Sequence, residues 1–436
     1  MFENLLSIMI FVPIIAGLAT FVLPLSREAA RIIGLAVSVI VVLLGIKVFL
    51  SFSGASGTFE LVEHIPINDS LGIAYSLGVD GISILVLTAA ATLFPMVYLL
   101  FQTKAKGYYG NLLIVQGAMI GAVAATDMVL FYVFWEVMLL PVFFMIGLYG
   151  GPNRLPAAIK ITIYTIAGSL LMLASLIYLG ISYHAQSGEW SFAMASLSNM
   201  SLTGPTATLA FVGFMIAFAI KIPLFPFHTW LPDAYTEAPT ATTFVLSAVM
   251  AKIGVYGVIR FVVPVFDESF ARYALILACS GVIGMMYCGI AALAQKDFKR
   301  MVAYSSVSHM GYVVLGLGVW SATGGPNNYN PDYWNQGVQG AMFQMIAHGV
   351  SSAGMFFMVG VVYDRVHHRD LNRFGGLYGK MPLYSALAFA IFFAGLGLPG
   401  LCGFIGEVFV VLSVWNFSYL LAVISAAVVI LTAAYI

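Results

Sequence analysis

Long apolar stretches, punctuated by short polar breaks, run the whole length of this chain. They are too long for strands and do not alternate apolar with polar positions. They predict helices of about 20 residues, the length that crosses a bilayer. An open spanning strand is excluded in any case, because backbone groups in hydrocarbon must bond within a helix or a closed barrel. The pattern places spans at residues 4–25, 29–51, 80–102, 109–126, 128–149, 157–183, 206–231, 240–263, 271–293, 300–320, 336–364, 383–413 and 417–436. The first stretch, MFENLLSIMIFVPIIAGLATFVLPL, has no basic leader and reads as the first helix rather than a signal peptide. The expected fold is all-α, a polytopic transmembrane helix bundle of about 13 spans.

Two of these spans are interrupted. The seventh reads AFAIKIPLFPFHTWLP, with Pro223, Pro226 and Pro232; the twelfth reads FFAGLGLPGLCGFIGE, with Gly395, Gly397, Pro399, Gly400 and Gly403. Proline removes a helix donor and clashes with the preceding turn, and glycine loosens the backbone. Broken backbone at membrane depth persists only inside protein or beside a wet cavity. Breaks five spans apart imply two five-helix repeats, spans 4–8 and 9–13. An odd number of helices per repeat inverts the second relative to the first, the layout in which transporters place sites at the repeat interface. The expected organisation is a three-helix segment at 1–107, a first repeat at 108–265 and a second at 266–436.

Composition agrees. The chain is 61% hydrophobic and 8% charged, against roughly 25% charge in a soluble domain. The formal net charge is zero and gives no hint of nucleic acid. Arg27, Arg31, Lys104, Lys106, Arg154, Lys160, Lys296, Lys299, Arg300, Arg365, Arg369, Arg373 and Lys380 all fall at connections on one side of the expected bundle. Acidic or neutral loops such as GTFELVEHIPINDS fall on the other. The positive-inside rule then puts the N-terminus outside and the basic loops in the cytoplasm of a bacterial-type inner membrane. Cys279, Cys288 and Cys402 lie far apart in apolar spans and read as buried small residues. No His, Cys or carboxylate cluster has metal-ligand spacing, and no nucleotide or haem motif occurs, so no cofactor is expected in this chain.

With so little charge available, four ionisable residues inside apolar stretches stand out: Glu136, Lys221, Lys252 and Glu407. Each costs on the order of 2.5–3.5 kcal/mol at a bilayer centre by insertion scales, which makes an ion or proton path the default hypothesis. Glu136 has Tyr132 one turn earlier on the same face. It reads either as a structural carboxylate or as half of a carboxylate–lysine switch. Lys221 stands just before the break in span 7. It either satisfies carbonyls freed by Pro223 and Pro226 or partners Glu136, each then holding the other charged. Lys252 is too deep in its span to snorkel, has Tyr256 one turn on, and suits a proton carrier. Glu407 follows the break in span 12 as Lys221 adjoins the break in span 7, with the opposite charge. His309, with Ser305 one turn before, and His348, with Gln344 one turn before, read as proton-bridging groups or as packed core histidines. His228, past the first break, reads as structural or as part of an entry path.

The runs KIPLFPFHTWLPDAYTEAPT, LSAVMAKIGVYGVIRF, QKDFKRMVAYSSVSHMGYV, MIAHGVSSAGMFFMVGVVYDR and LGLPGLCGFIGEVFV, with FWEVMLLPVFFMIGLYGG before them, resemble the antiporter-like subunits of respiratory complex I. The resemblance covers nearly the whole chain. It implies that Glu136 and Lys221 form a coupled pair, that Lys252 is the central carrier, that His309 and His348 bridge, and that Glu407 is the outlet carboxylate. It implies that NADH, FMN, iron–sulfur clusters and quinone belong to other subunits. Implied partners are the other membrane subunits, including two sister antiporter-like chains, with lipids around them. It also implies a fourteenth helix beyond Ile436, and a loop at 321–335 longer than the family usually has. A cation/proton antiporter component, a subunit of a membrane-bound hydrogenase-type complex and a scaffold held together by its charges are the competing functions.

Overall fold

The computed structural model describes residues 4–54, 58–101, 105–319 and 331–436. Lys104 and residues 320–330 of the long loop lie outside the described residues. The chain is a mostly helical polytopic membrane protein. Among the described residues, nine helices are long and apolar enough to cross a bilayer, and Pro382–Leu396, Cys402–Trp415 and Tyr419–Tyr435 are shorter apolar helices. Lys106–Ala124 and Phe298–Gly318 are not among the nine. Both are buried on nearly every face. A helix wrapped in protein needs no lipid-facing side chains, so it tolerates the glycines and hydroxyls that lower its hydropathy.

The chain divides into two compact units, one of residues 1–218 and 256–266, the other of residues 219–255 and 267–436. In the first, Lys106–Ala124 is the central helix, packed by Leu5–Val22, Arg27–Ser51, Ser83–Leu100 and Met128–Val137. Glycine permits the closest of these contacts: a Cβ on Gly17 would stand 2.7 Å from the Gly110 carbonyl oxygen. The segment read as an acidic loop is instead an antiparallel hairpin, β1 (Glu60–Asn68) and β2 (Ile73–Val79), with Ile65 opposite Tyr75. The turn signal NDSLG and the β-branched residues beside it were available in the sequence. Glu63 of β1 turns inward and accepts from the backbone N–H groups of Leu6 (2.7 Å) and Ser7 (3.1 Å), capping the first helix.

In the second unit Phe298–Gly318 is central, packed by Asp267–Leu293, Pro331–Val366, Cys402–Trp415 and Trp230–Glu237. Asp297 starts it by accepting from the Arg300 N–H at 3.0 Å. Gly311 allows the Asp267–Leu293 helix to close in: its missing Cβ would meet the Gly281 carbonyl oxygen at 2.7 Å. The expected span at 383–413 is two helices, Pro382–Leu396 and Cys402–Trp415, joined through Gly397 and Gly400 at positive φ. Gly204–Lys221 ends at the Pro223 and Pro226 segment, and helix resumes at Trp230. A feature the residue pattern did not announce is a π-turn at Leu246–Met250, just before Lys252.

Candidate functional site

Lys252 follows that π-turn directly. There the Ala251 N–H bonds the Leu246 carbonyl five residues back, and the Lys252 ammonium donates to the Ser247 carbonyl. Widening the helix by one residue thus places a carbonyl acceptor beside the lysine. The Lys252 Nζ also lies 2.9 Å from Nδ1 of His348. The His348 ring faces that of His309, centroid to centroid 6.0 Å. His309 Nδ1 is 3.0 Å from Oε1 of Glu407, and the Gln344 side-chain amide donates to the same oxygen at 3.2 Å. All five residues are no more than 5% exposed, and all belong to the second unit.

Each residue is held by an identifiable element. His348 and Gln344, one turn apart on Pro331–Val366, point the same way. His309 comes from the central helix. Glu407 sits one turn into Cys402–Trp415, and its Oε2 occupies the space a Cβ on Gly397 would need. Gly397, at φ +77°, is therefore required twice over, for the left-handed turn and for the carboxylate. Both histidines spend Nδ1 on a named partner. Among the described residues neither Nε2 has a hydrogen-bond partner, nor does the Gln344 Oε1. Buried polar atoms of this kind mark positions for ordered water.

The other candidates fall elsewhere. Lys221 is buried at the end of Gly204–Lys221. Two of the carbonyls at that break are taken by other donors: Ala219 by the Leu224 N–H (2.8 Å) and Ile220 by the Trp230 indole (2.9 Å). Glu136 and Tyr132 are half-buried on Met128–Val137 and belong to the first unit, Lys221 to the second. His228 is buried, stacked on Phe225 (5.6 Å) and edge-on to Tyr287 (5.4 Å). Tyr256 lies one turn after Lys252 on the same helix, Ala251–Gly257. Its hydroxyl donates to the Val123 carbonyl (2.8 Å) and accepts from Arg260 Nε (3.1 Å). Among the described residues no group of three His, Cys, Asp or Glu could hold a metal. The sequence reading missed Lys299, counted as a loop charge and here only 3% exposed.

A family model described as NADH:quinone oxidoreductase/Mrp antiporter, transmembrane, matches residues 125–432. The chain is 37% identical over 451 residues to NADH-quinone oxidoreductase subunit M of Rhodobacter capsulatus, which spans 99% of this chain and 85% of that protein. It is 39% identical over 363 residues to subunit M of Escherichia coli, across 81% of this chain and 69% of that one. Its structure is similar to a chain of respiratory complex I from Thermus thermophilus with bound NADH, with TM-score 0.88, 31% identity, and coverage of 99% and 86%. A chain of the Mrp complex from Dietzia, at TM-score 0.86 and 21% identity over 99% and 78%, shares the fold.

Proposed function

Because the chain belongs to the NADH:quinone oxidoreductase/Mrp antiporter transmembrane family, we propose that it is a proton-translocating membrane subunit of an NADH:quinone oxidoreductase and that Lys252, His348, His309 and Glu407 carry the proton. NADH, FMN, iron–sulfur clusters and quinone are then the business of other subunits. This chain works among further membrane subunits, including sister antiporter-like chains, and lipid. The observation that carries the reading is the contiguous buried row from an ammonium to a carboxylate through two imidazoles.

On this reading the hydrogen bonds assign each atom a role. A charged Lys252 has only protons to give, so His348 Nδ1 accepts and its Nε2 bears hydrogen. A charged Glu407 only accepts, so His309 donates from Nδ1 and its Nε2 has a free lone pair. The two orphaned Nε2 atoms are therefore complementary, donor toward acceptor, with one water able to join them. Transfer runs from the Lys252 ammonium to His348 Nδ1, from His348 Nε2 to His309 Nε2, and from His309 Nδ1 to Glu407. One proton leaves the lysine and one arrives at the carboxylate. Both rings end in the opposite tautomer, so the row must be reset before the next proton passes. Glu136 and Lys221 act ahead of it as a coupled pair, whose separation would release the lysine's proton.

The fold reading that accompanies this is thirteen spans with two inverted five-helix repeats, helices 7 and 12 being broken, the N-terminus outside and the basic loops cytoplasmic. Two matching local features support the repeats. Asp127 caps the helix that begins the first repeat's second span, and Asp297 caps the corresponding helix of the second. Each aspartate also makes a lone antiparallel bridge to a later connection, Asp127 to Ala193 and Asp297 to Asp370.

Lys252→Ala in the assembled complex tests the assignment. NADH-driven proton uptake into membrane vesicles is expected to fall at least about tenfold while the complex still assembles; wild-type pumping would remove Lys252 from the path. Copurification with flavin- and iron–sulfur-bearing subunits separates this function from a stand-alone antiporter.

A further inference from the structure

The second unit contains another buried lysine, which the row does not use. Lys299 lies in the first turn of Phe298–Gly318 and donates to the Ala238 carbonyl. Four of five charged groups around it are paired with one another, and the fifth is Glu237. Asp297 and Arg300 come from its own turn, Arg369 from the turn after Pro331–Val366, and Asp233 and Glu237 from Trp230–Glu237. Arg369 holds Asp297 at 3.0 Å and Arg300 holds Asp233 at 3.1 Å. Among the described residues Lys299 has no carboxylate within salt-bridge range. Three donors thus meet one carbonyl, an arrangement that leaves a buried ammonium poorly compensated and ready to lose its proton. Lys252 is held in the same manner, on a carbonyl beside an imidazole.

Position supplies the rest. The two ion pairs next to Lys299 are 22–38% exposed, so solvent reaches within a residue of it. Beyond it on the same helix, Ser306 lies two turns on and on the same face, and His309 follows one turn later. The Ser306 hydroxyl is buried without a hydrogen-bond partner among the described residues, as are the Nε2 atoms of His309 and His348. The Thr236 hydroxyl, close to the Ala238 carbonyl in sequence, is in the same state. Each of these atoms is suited to water, and Ser306 and His309 follow Lys299 in order along the helix away from the solvated ion pairs.

We propose that Lys299 is a further proton-loading residue, taking protons from solvent at the turn it occupies and passing them through Ser306 and water to the His309–His348 pair. The step is a proton transfer only: Lys299 gains one on the solvent side and gives one on the inner side. The proposal rests on the histidine row being the proton path.

Three substitutions in vesicles containing the whole complex test it, with Lys252→Met run beside them. Lys299→Met is expected to slow NADH-driven pumping about fivefold or more. Lys299→Arg keeps the cation and the bond to Ala238 but cannot release a proton, and is expected to be equally slow. Lys299→His should recover at least about half the wild-type rate at pH 6.5 and lose it again by about pH 8.5. Normal pumping in Lys299→Arg makes the residue a fixed cation stapling a helix end, and overturns the proposal. So does normal pumping in Lys299→Met, or a His variant whose pH profile matches wild type. If neither the Met nor the Arg variant assembles, the His profile alone decides. Normal pumping in Lys252→Met would instead sink the row itself.

Discussion

Lys252 and Arg260 stand on one run of helix, both buried, and the chain treats them in opposite ways. In the first unit Arg260 meets a carboxylate: Nη2 is 2.5 Å from Asp80 Oδ1, and Nε donates to the Tyr256 hydroxyl at 3.1 Å. Its guanidinium also lies over the rings of Phe59 (4.9 Å) and Tyr256 (5.3 Å). Asp80 in turn receives the N–H groups of Ile82 and Ser83 at the head of the Ser83–Leu100 helix. Every strong group there has a permanent partner, and nothing in the cluster gains by moving a proton. In the second unit Lys252 has a carbonyl and an imidazole, and Glu407 has an imidazole and an amide. The carboxylate that would fix the lysine is two imidazoles away. A buried charge is braced when its counter-charge touches it; titratable groups between the two, as between Lys252 and Glu407, suit the carrier role proposed above.

Exchanging the two cations gives the largest effect that follows. Lys252→Arg keeps charge and length but removes the ability to release a proton. Pumping is expected to fall at least about tenfold in a complex that assembles normally. Arg260→Lys keeps a cation next to Asp80 while losing the planar fork and the bond to Tyr256. It is expected to pump, with stability reduced on the order of 1–3 kcal/mol, seen as a lower melting temperature of the detergent-extracted complex. If Arg260→Lys stopped pumping at full stability, the division between brace and carrier would be wrong.

The far end of the row offers a sharper cut. Gly397→Ala introduces a Cβ into the space held by Glu407 Oε2, at a position with φ +77°. It should displace the carboxylate from His309 and destabilise by roughly 1 kcal/mol or more. Pumping should drop severalfold with no ionisable group altered, and normal pumping would mean that Glu407 works from some other position.

These two regions also show what the residues alone reveal. Lys252, His309, His348 and Glu407 were visible because a polar side chain in an apolar stretch is costly wherever it lies, and helical spacing put Gln344 beside His348. Glu407, Gln344 and the histidines then met through tertiary packing, which no local pattern encodes. Lys299 was hidden for the complementary reason. It sits among Lys296, Asp297 and Arg300, in a segment that reads as a solvated turn, and tertiary packing, with the Ala238 carbonyl at the end of Trp230–Glu237 against it, buries it. Tyr256 stands one turn from Lys252 on the same helix, as its spacing predicts, while its hydroxyl bonds Val123 and Arg260. Arg260 itself drew no reading from the sequence, since its partner lies 180 residues earlier in the chain.

The smallest effect concerns the brace alone and is read against pH. Burial works against the charged form of Asp80, but hydrogen bonding and attraction from Arg260, with the bonds from Ser83, outweigh it and hold the carboxyl below its usual range. A carboxyl lowered on folding stabilises the protein above its unfolded-state value of about 3.9, and that stabilisation is lost as pH falls through the lower folded value. Asp80→Asn removes the contribution at every pH. The melting temperature of wild type should therefore exceed that of Asp80→Asn by a constant margin from about pH 7.5 to 5, and the margin should close below about pH 4. A margin that instead grew on acidification would mean that Asp80 is neutral in the folded protein, and the first unit would then lack the paired carboxylate that sets Arg260 apart from Lys252.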